Sequence, residues 1–284
     1  MVQNAIKKAD ILIEALPYIK KFHKKIFVIK YGGSILGEER VRKCVLEDIA
    51  FLKFAGIRPI IVHGGGPNIS EELKGRKIIT EFVGGMRVTN KDTLKVVEEE
   101  LDKLNSLITR EVNKQGVKAQ GFKSKSGFLK VVKKKSKIDL GFVGEAVDFN
   151  RQKLEAALKE RIPVICPMGL STEGITYNIN ADEVAFFLAS QLKAEKLVLL
   201  TNVLGVMRDP KDRDSLISTM TAEETEELIE EGAIDEGMVP KVRAAAAAIG
   251  AGTNKAHIVD AKIPHALLLE IFTDKGIGTE IRRA

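Results

Sequence analysis

The sequence predicts an α/β protein built on a doubly wound, mainly parallel sheet, and three observations carry that expectation. An apolar β-type run, Phe27 to Ile29, delivers Lys30 to a glycine pair, Gly32 and Gly33, in FVIKYGGS. A second run, Pro59 to Val62, ends in His63-Gly64-Gly65-Gly66-Pro67 after an intervening helical stretch. Beyond these, strand-like and helix-like segments keep alternating, as they do where crossover helices join parallel strands. Val and Ile favour buried strands, while paired glycines let the backbone turn sharply with its N–H groups bare. Two such turns at the same edge of a parallel sheet suit an anion.

Length and charge bound the rest. A chain of 284 residues can bury a substantial core, and two lobes in one compact unit are expected. The net charge of +6 comes from interspersed acids and bases, so it describes a mildly basic surface that attracts anionic substrates and requires no nucleic acid. The basic run Lys133 to Lys135 lacks aromatic neighbours and reads as a solvated edge. Cys44 and Cys166 have no CxxC partner and sit in apolar surroundings, as buried free thiols of a reducing compartment do. No apolar run is long enough to cross a bilayer and the N-terminus lacks signal-peptide features, so a cytoplasmic protein without a membrane partner is expected.

In chain order, Ile6, Ala9, Ile13, Leu16 and Ile19 recur at helical spacing and predict an amphipathic helix over 5–22, with Pro17 kinking it or breaking its last turns. Its apolar side packs either on its own domain or on another subunit; periodicity reports burial without naming the partner. Arg40 to Phe54 is a helix stopped at Gly56, followed by the strand 58–62 and a short helix near Ser70 to Leu73. Arg87 lies in an extended segment after a glycine turn, before a long helix over 91–114 that starts near Asn90. Residues 116–147 read as short strands and hairpins; helix 151–160 and strand Ile162 to Cys166 close a first lobe near residue 170. The second lobe opens at Tyr177, with a helix to Leu192 and a continuous apolar strand, Lys196 to Thr201. Thr221 and Glu224 have capping-box spacing, an alanine-rich helix begins at Gly237 to Lys241, and strand Ala256 to Val259 with helix Pro264 to Phe272 finishes the fold.

The motif inventory narrows the chemistry. GxxxxGK[ST], a GxGxxG after a strand, a Gly-x-Ser-x-Gly elbow and zinc-like spacing of His23, His63, His257 and His265 are all missing. Glycine turns with scattered Lys, Arg and Asp remain, which is what phosphoryl transfer uses, since it relies on positioning and charge stabilisation. Lys30, at the end of an apolar strand, must bury its stem and find a partner for its charge. Lys241, in a first helical turn after Pro240, faces the positive end of a helix dipole; either it is a solvated surface group or an anion relieves the conflict. Asp182 beside the Asn180 cap is favourable with or without a function, and Arg87 is either a surface residue or a planar fork for a carboxylate.

KYGGS, HGGGP, MRVT, YNINAD, LLTNVLGV, EGMVPK and AHIVD with PHALLLEIFTDKGIGTEI occur in that order over nearly the whole chain. Together they resemble the amino acid kinase family, on the branch that phosphorylates N-acetyl-L-glutamate. The resemblance implies a three-layer αβα open sandwich, with an interlacing helix at 1–22, an amino-acid lobe at 23–170 that also dimerises, and an ATP lobe at 171–284. It implies formation of N-acetyl-L-glutamyl 5-phosphate and ADP in arginine biosynthesis. Lys30 and Lys241 match the lysines that neutralise the transferring phosphoryl group, and Asp182 the acid that orients both. Gly65, Gly66, Arg87 and Asn178 match substrate-binding positions; Gly32, Gly33, Gly65, Thr201, Asn202 and Lys241 match positions on the phosphates and nucleotide. Magnesium is implied as an ion carried by ATP oxygens, with no metal site of the protein's own. The N-terminal helix resembles that of hexameric, arginine-inhibited members, and Tyr18, His257, Glu270 and Gly276 match their L-arginine site. A trimer of dimers is implied, and a PII-type regulator is a further partner the resemblance allows.

Three departures bear on detail. Residues 121–127 read GFKSKSG where the family usually has a GLSGKDG-like segment, Asn202 replaces a common aspartate, and Glu236 a common glycine. The last two bear on ATP affinity. Two other readings stand beside this one: a kinase of carrier-protein-linked aminoadipate or glutamate, suggested by the Lys-rich 123–137 segment, and a catalytically idle arginine-sensing scaffold.

Overall fold

A computed structural model of the chain describes residues 2–209, 211–235 and 238–284; the departure at Glu236 and the expected helix start at Gly237 lie outside the described residues. The first half runs α1 (Val2–Phe22), β1 (Ile26–Tyr31), a 3₁₀ turn (Gly33–Leu36), α2 (Glu39–Phe54), β2 (Arg58–His63), α3 (Gly66–Gly75), the hairpin β3 (Phe82–Val83) and β4 (Met86–Arg87), and α4 (Lys91–Lys114). It continues with β5 (Ala119–Phe122), β6 (Leu129–Lys133), β7 (Gly144–Phe149), α5 (Arg151–Glu160), β8 (Ile162–Ile165), β9 (Met168–Leu170) and β10 (Thr176–Asn178). The second half holds α6 (Ala181–Gln191), β11 (Lys196–Thr201), β12 (Thr219–Thr221), α7 (Ala222–Glu230), α8 (Val239–Gly250), β13 (Lys255–Asp260), α9 (Ala266–Ile271) and β14 (Thr279–Arg282).

An eight-stranded sheet in the order β12-β14-β13-β11-β1-β2-β8-β5 crosses the whole molecule. It is parallel from β13 to β5, and β14 runs antiparallel to β13. The seam between the halves is β1 against β11, with Lys30 opposite Leu199 on one side and Val62 on the other. One apolar layer joins β1 and β2 to α2, α9 and the end of α4; the opposite layer joins the sheet to α5, α6 and α8. That is the three-layer sandwich. A smaller four-stranded sheet, β10-β9-β6-β7, caps the first half, and its β9–β10 hairpin carries the chain past residue 170 as far as Asn178.

Local chemistry sets the main boundaries. Asn90, Asn150 and Asn180 cap α4, α5 and α6 by accepting N–H bonds with their side chains, and Thr221 with Glu224 forms the full capping box of α7. Several expectations need correction. Pro17 lies inside α1, which continues to Phe22, so the expected alternative of a break in its last turns does not occur: Tyr18 on Phe272 and Phe22 on Phe27 hold those turns by edge-on ring contacts. The last turns of α1 therefore dock on their own chain, whereas Val2, Ile6, Leu12, Ile13 and Leu16 stay exposed. The helix expected at Ser70 begins four residues earlier, at Gly66, because Pro67 suits a first turn. The fold does not end with α9: β14 adds an edge pairing through Ile281, and β12 pairs with it in turn. Cys166 is buried, but Cys44 is only half-buried. Among the described residues no helix is long and apolar enough to cross a membrane.

The Asn90 cap accepts from Thr93 N–H at 2.9 Å. Replacement by Ala should lower the unfolding free energy by about 1 kcal/mol, read from a shifted urea midpoint at constant m-value; an unmoved midpoint would show that water replaces the cap at no cost.

Candidate active site

Strand alternation aims the first side chain. Phe27, Ile29 and Tyr31 of β1 enter the layer of α2 and α9, while Val28 enters the opposite layer with α6 and α8. Period two then sends Lys30 to the α6 side, at the carboxyl end of the strand. There Asp182 stands in the first turn of α6, where the Asn180 side chain accepts its N–H at 2.8 Å. Lys241 arrives from the first turn of α8, just after Pro240.

The three meet. Lys30 Nζ lies 2.9 Å from Asp182 Oδ1, a charge contact off the hydrogen-bond axis, and Lys241 Nζ lies 3.4 Å from Oδ2. Burial acts to raise the Asp182 pKa, yet the charges of Lys30 and Lys241 beside it outweigh that and hold the carboxyl below its usual range. It is ionised at neutral pH. One carboxylate thus gathers two ammonium groups that would otherwise repel each other, at the positive ends of two helices. That surplus of positive charge is suited to a polyanion.

The glycine turns form the floor. Gly64 N–H donates to Tyr31 O at 2.8 Å, so the two turns touch, and a Cβ on Gly32 would come within 3.0 Å of both Gly64 Cα and N. Gly33 follows at φ +79°, a left-handed conformation that favours glycine. His63 is buried beneath, its Nδ1 donating to Gly64 O at 3.0 Å and its Nε2 accepting from Asn105 at 3.1 Å. Burial pulls its pKa down to about 4, so it is a neutral support of the turn. Gly66 opens α3, where first-turn N–H groups have no helical acceptor and are left for a ligand.

A cleft of about 240 Å³ runs from Lys30, Gly33 and Asp182 past Gly64 to Gly66 toward Arg87 and Asn178. Arg87 is 6% exposed; one guanidinium nitrogen donates to Gly66 O (3.2 Å) and Ser70 Oγ (2.8 Å), and the other terminal nitrogen has no acceptor among the described residues. The guanidinium carbon sits over the Phe82 ring, 4.5 Å from its centre, and burial lowers the Arg87 pKa. Asn178 Nδ2 donates weakly to Thr89 Oγ1 (3.4 Å). A charged fork with a spare donor in a half-apolar cleft fits a carboxylate.

Thr201 and Asn202 lie elsewhere. The Thr201 hydroxyl shares its one proton between Val203 O (2.9 Å) and Val259 O (3.3 Å) and accepts from Val203 N–H (3.2 Å), and Asn202 is exposed. Nearby, Val203, Gly205, Val206, Met207, Ile234 and Met238, with Asp235 as the one charged residue among those described, line a mostly apolar cavity of about 250 Å³, one turn before Lys241. Tyr18, Glu270 and Gly276 share a third cavity, of about 230 Å³, between α1 and α9. His257 lies behind it, donating to Glu270 Oε1 (2.6 Å) and accepting from Lys196 Nζ (2.7 Å). Burial pulls Lys196 down to about 8 and, with the Lys196 charge, holds His257 below its ordinary value. Tyr18 also donates to Asp274.

Sequence reasoning left out several residues of these sites. Gly64 was within reach, since the glycine run itself marks it. Ser70, Asn105 and Lys196 carry no local signal; only the folded chain brings them to Arg87, His63 and His257.

Residues 25–260 match the amino acid kinase family. The chain belongs to that family. It is 48% identical over 282 residues to the acetylglutamate kinase of Desulforamulus reducens, covering 98% of each chain. With the acetylglutamate kinase of Methanocaldococcus jannaschii it shares 46% over 291 residues, 98% of this chain and 97% of that one. Among solved structures, N-acetylglutamate synthase from Neisseria gonorrhoeae, complexed with coenzyme A and N-acetyl-glutamate, superposes with a TM-score of 0.87 at 25% identity. The match covers 97% of this chain and 63% of the synthase.

The contact between the turns is testable. A Gly32→Ala methyl meets backbone rather than a movable side chain, so the turns must part and the floor deform. Phosphoryl transfer should fall at least tenfold, about 1.4 kcal/mol of transition-state stabilisation, while the melting temperature moves little; wild-type turnover in this variant would remove the floor from the site.

Proposed function

We infer that the chain transfers the γ-phosphoryl group of ATP to the side-chain carboxylate of N-acetyl-L-glutamate, giving N-acetyl-L-glutamyl 5-phosphate and ADP in arginine biosynthesis. The observation that carries this reading is the Lys30–Asp182–Lys241 cluster at the head of a cleft whose other end is Arg87. Arg87 and Asn178 hold the acceptor by its other polar groups, and the first lobe, 23–170 with the hairpin that follows, supplies most of that cleft. The second lobe, 171–284, takes the nucleotide, with its base in the apolar cavity beside Met238 and its phosphates toward Lys241 and the turns at Gly32, Gly33, Gly65 and Gly66. Thr201 and Asn202 border the nucleotide through the loop after β11.

A carboxylate oxygen of the acceptor attacks the γ-phosphorus in line as the bond to the β–γ bridging oxygen breaks, and the electron pair leaves on ADP. The acceptor is ionised at neutral pH, so no base removes a proton. Lys30 neutralises charge on the attacking side and Lys241 on the leaving side, with Asp182 fixing both. Asp182 is committed to those lysines, which fits magnesium carried on ATP oxygens and water rather than in a protein cage. When bound, the ion supplies further charge neutralisation on the phosphates.

The unpartnered apolar side of α1, at Val2, Ile6, Ile13 and Leu16, supports a hexamer in which these helices interlace, and the cavity at Tyr18, Glu270 and Gly276 supports inhibition by L-arginine. Glu270 is the natural partner for a guanidinium.

A hydroxamate assay with free N-acetyl-L-glutamate and Mg-ATP tests the reaction. Signal only with a carrier-linked acceptor would favour the carrier-protein reading, and none with either acceptor the scaffold. Lys30→Ala and Lys241→Ala should each lower kcat on the order of a hundredfold or more, with far smaller changes in KM; unchanged kcat in both would remove their assigned roles. Deleting residues 1–22 should convert hexamers to dimers and abolish arginine inhibition. A truncated protein that remains hexameric and arginine-sensitive on light scattering and assay refutes that part alone.

A further inference from the structure

We propose that Cys44, Glu47 and His265 form a binding site for one divalent metal ion of the zinc class, at the junction of α2 and α9 and apart from the transfer cleft. One ligand atom from each of the three lies within 4.8 Å of the other two. None of the three lines the cleft.

The donor set is a thiol, an imidazole and a carboxylate. Mixed sulfur, nitrogen and oxygen donors suit zinc and its neighbours, whereas magnesium and calcium take oxygen alone. Cys44 and Glu47 stand three residues apart on α2 and so share one face of the helix. The third ligand is delivered from the other half of the chain: His265, the N-cap of α9, sits at φ +55°, a left-handed conformation that costs a non-glycine residue energy.

A second feature points the same way. His265 Nδ1 donates to Asp48 Oδ1 at 2.6 Å, and Asp48 is 1% exposed. A buried carboxylate on Nδ1 fixes the ring and its tautomer, so Nε2 would be the nitrogen free to bind the metal, the outer-shell arrangement common to histidine-ligated metals. Closing a tetrahedral site draws ligand atoms to roughly 3.5 Å of one another, given zinc–sulfur and zinc–nitrogen bonds of about 2.3 and 2.0 Å. Rotamer adjustments of Cys44 and Glu47 on one helix face cover that difference. Glu47 would give up a 3.8 Å pairing with the exposed Lys43, which contributes little.

On binding, the Cys44 S–H bond breaks, its proton passes to buffer and the thiolate joins the metal. Three protein ligands leave the fourth position to water, as the exposed side of His265 permits. The bound ion would tie α2, which links β1 to β2, to α9, whose Glu270 lines the cavity beside α1.

Cobalt(II) is the probe, titrated into chelator-treated full-length protein without ATP. The expected result is one equivalent bound, with the visible bands of a tetrahedral ion and a near-ultraviolet thiolate-to-cobalt charge-transfer band. Zinc should bleach both, and magnesium neither. Cys44→Ser should abolish the charge-transfer band, Glu47→Gln should weaken binding at least tenfold, and Cys166→Ser should bind as the wild type does. Metal-free Cys44→Ser should keep its kinase turnover with Mg-ATP, which certifies its fold. No charge-transfer band in the wild type, a band that survives Cys44→Ser, or one lost with Cys166→Ser overturns the proposal.

Discussion

The site depends on a single carboxylate. Asp182 receives Lys30 from the central strand and Lys241 from the first turn of α8, so one side chain ties together the polar ends of three elements whose apolar sides share one layer. Taken singly, each charge is expensive where it stands: a half-buried lysine at a strand end, a lysine against a helix dipole and a nearly buried acid all lose hydration. Together they offset one another, and one net positive charge remains. Buried ion pairs of this kind are poor stabilisers, and removing one member leaves the others uncompensated. Under the proposed function, their value lies in holding two ammonium groups on either side of the transferring phosphoryl group.

The second support is the contact between the glycine turns. Parallel pairing of β1 with β2 sets both turns at one edge, and the absence of side chains lets Gly32 and Gly64 approach to backbone contact. His63 stiffens the arrangement from below without charge of its own. The floor is therefore main chain throughout, and its N–H groups are aimed by the sheet rather than by flexible side chains.

Features with local causes were legible in the sequence. The β1 and β2 runs, the Asn90 and Asn180 caps and the Thr221–Glu224 capping box depend on neighbours a few residues away, and they lie where expected. Family motifs pointed to Lys30, Asp182 and Lys241, although physics alone left Asp182 an ordinary cap-region acid. Short strands were harder: β12 and β14 owe their existence to pairing with β13 and each other, and nothing in TMT or TEIR declares that partner. The continuity of α1 past Pro17 came from ring contacts with Phe27 and Phe272, distant in sequence. Long-range polar partners such as Ser70 for Arg87 and Asn105 for His63 were invisible for the same reason.

The alternation along β1 limits how this enzyme can evolve. Phe27, Val28 and Ile29 can exchange for other apolar residues of similar volume, since each is judged by its own layer. Length is another matter: one inserted or deleted residue before Lys30 would turn its ammonium into the aromatic and aliphatic layer under α2 and present Ile29 or Tyr31 to Asp182 instead. Lineages of this strand should therefore drift in composition while remaining intolerant of indels.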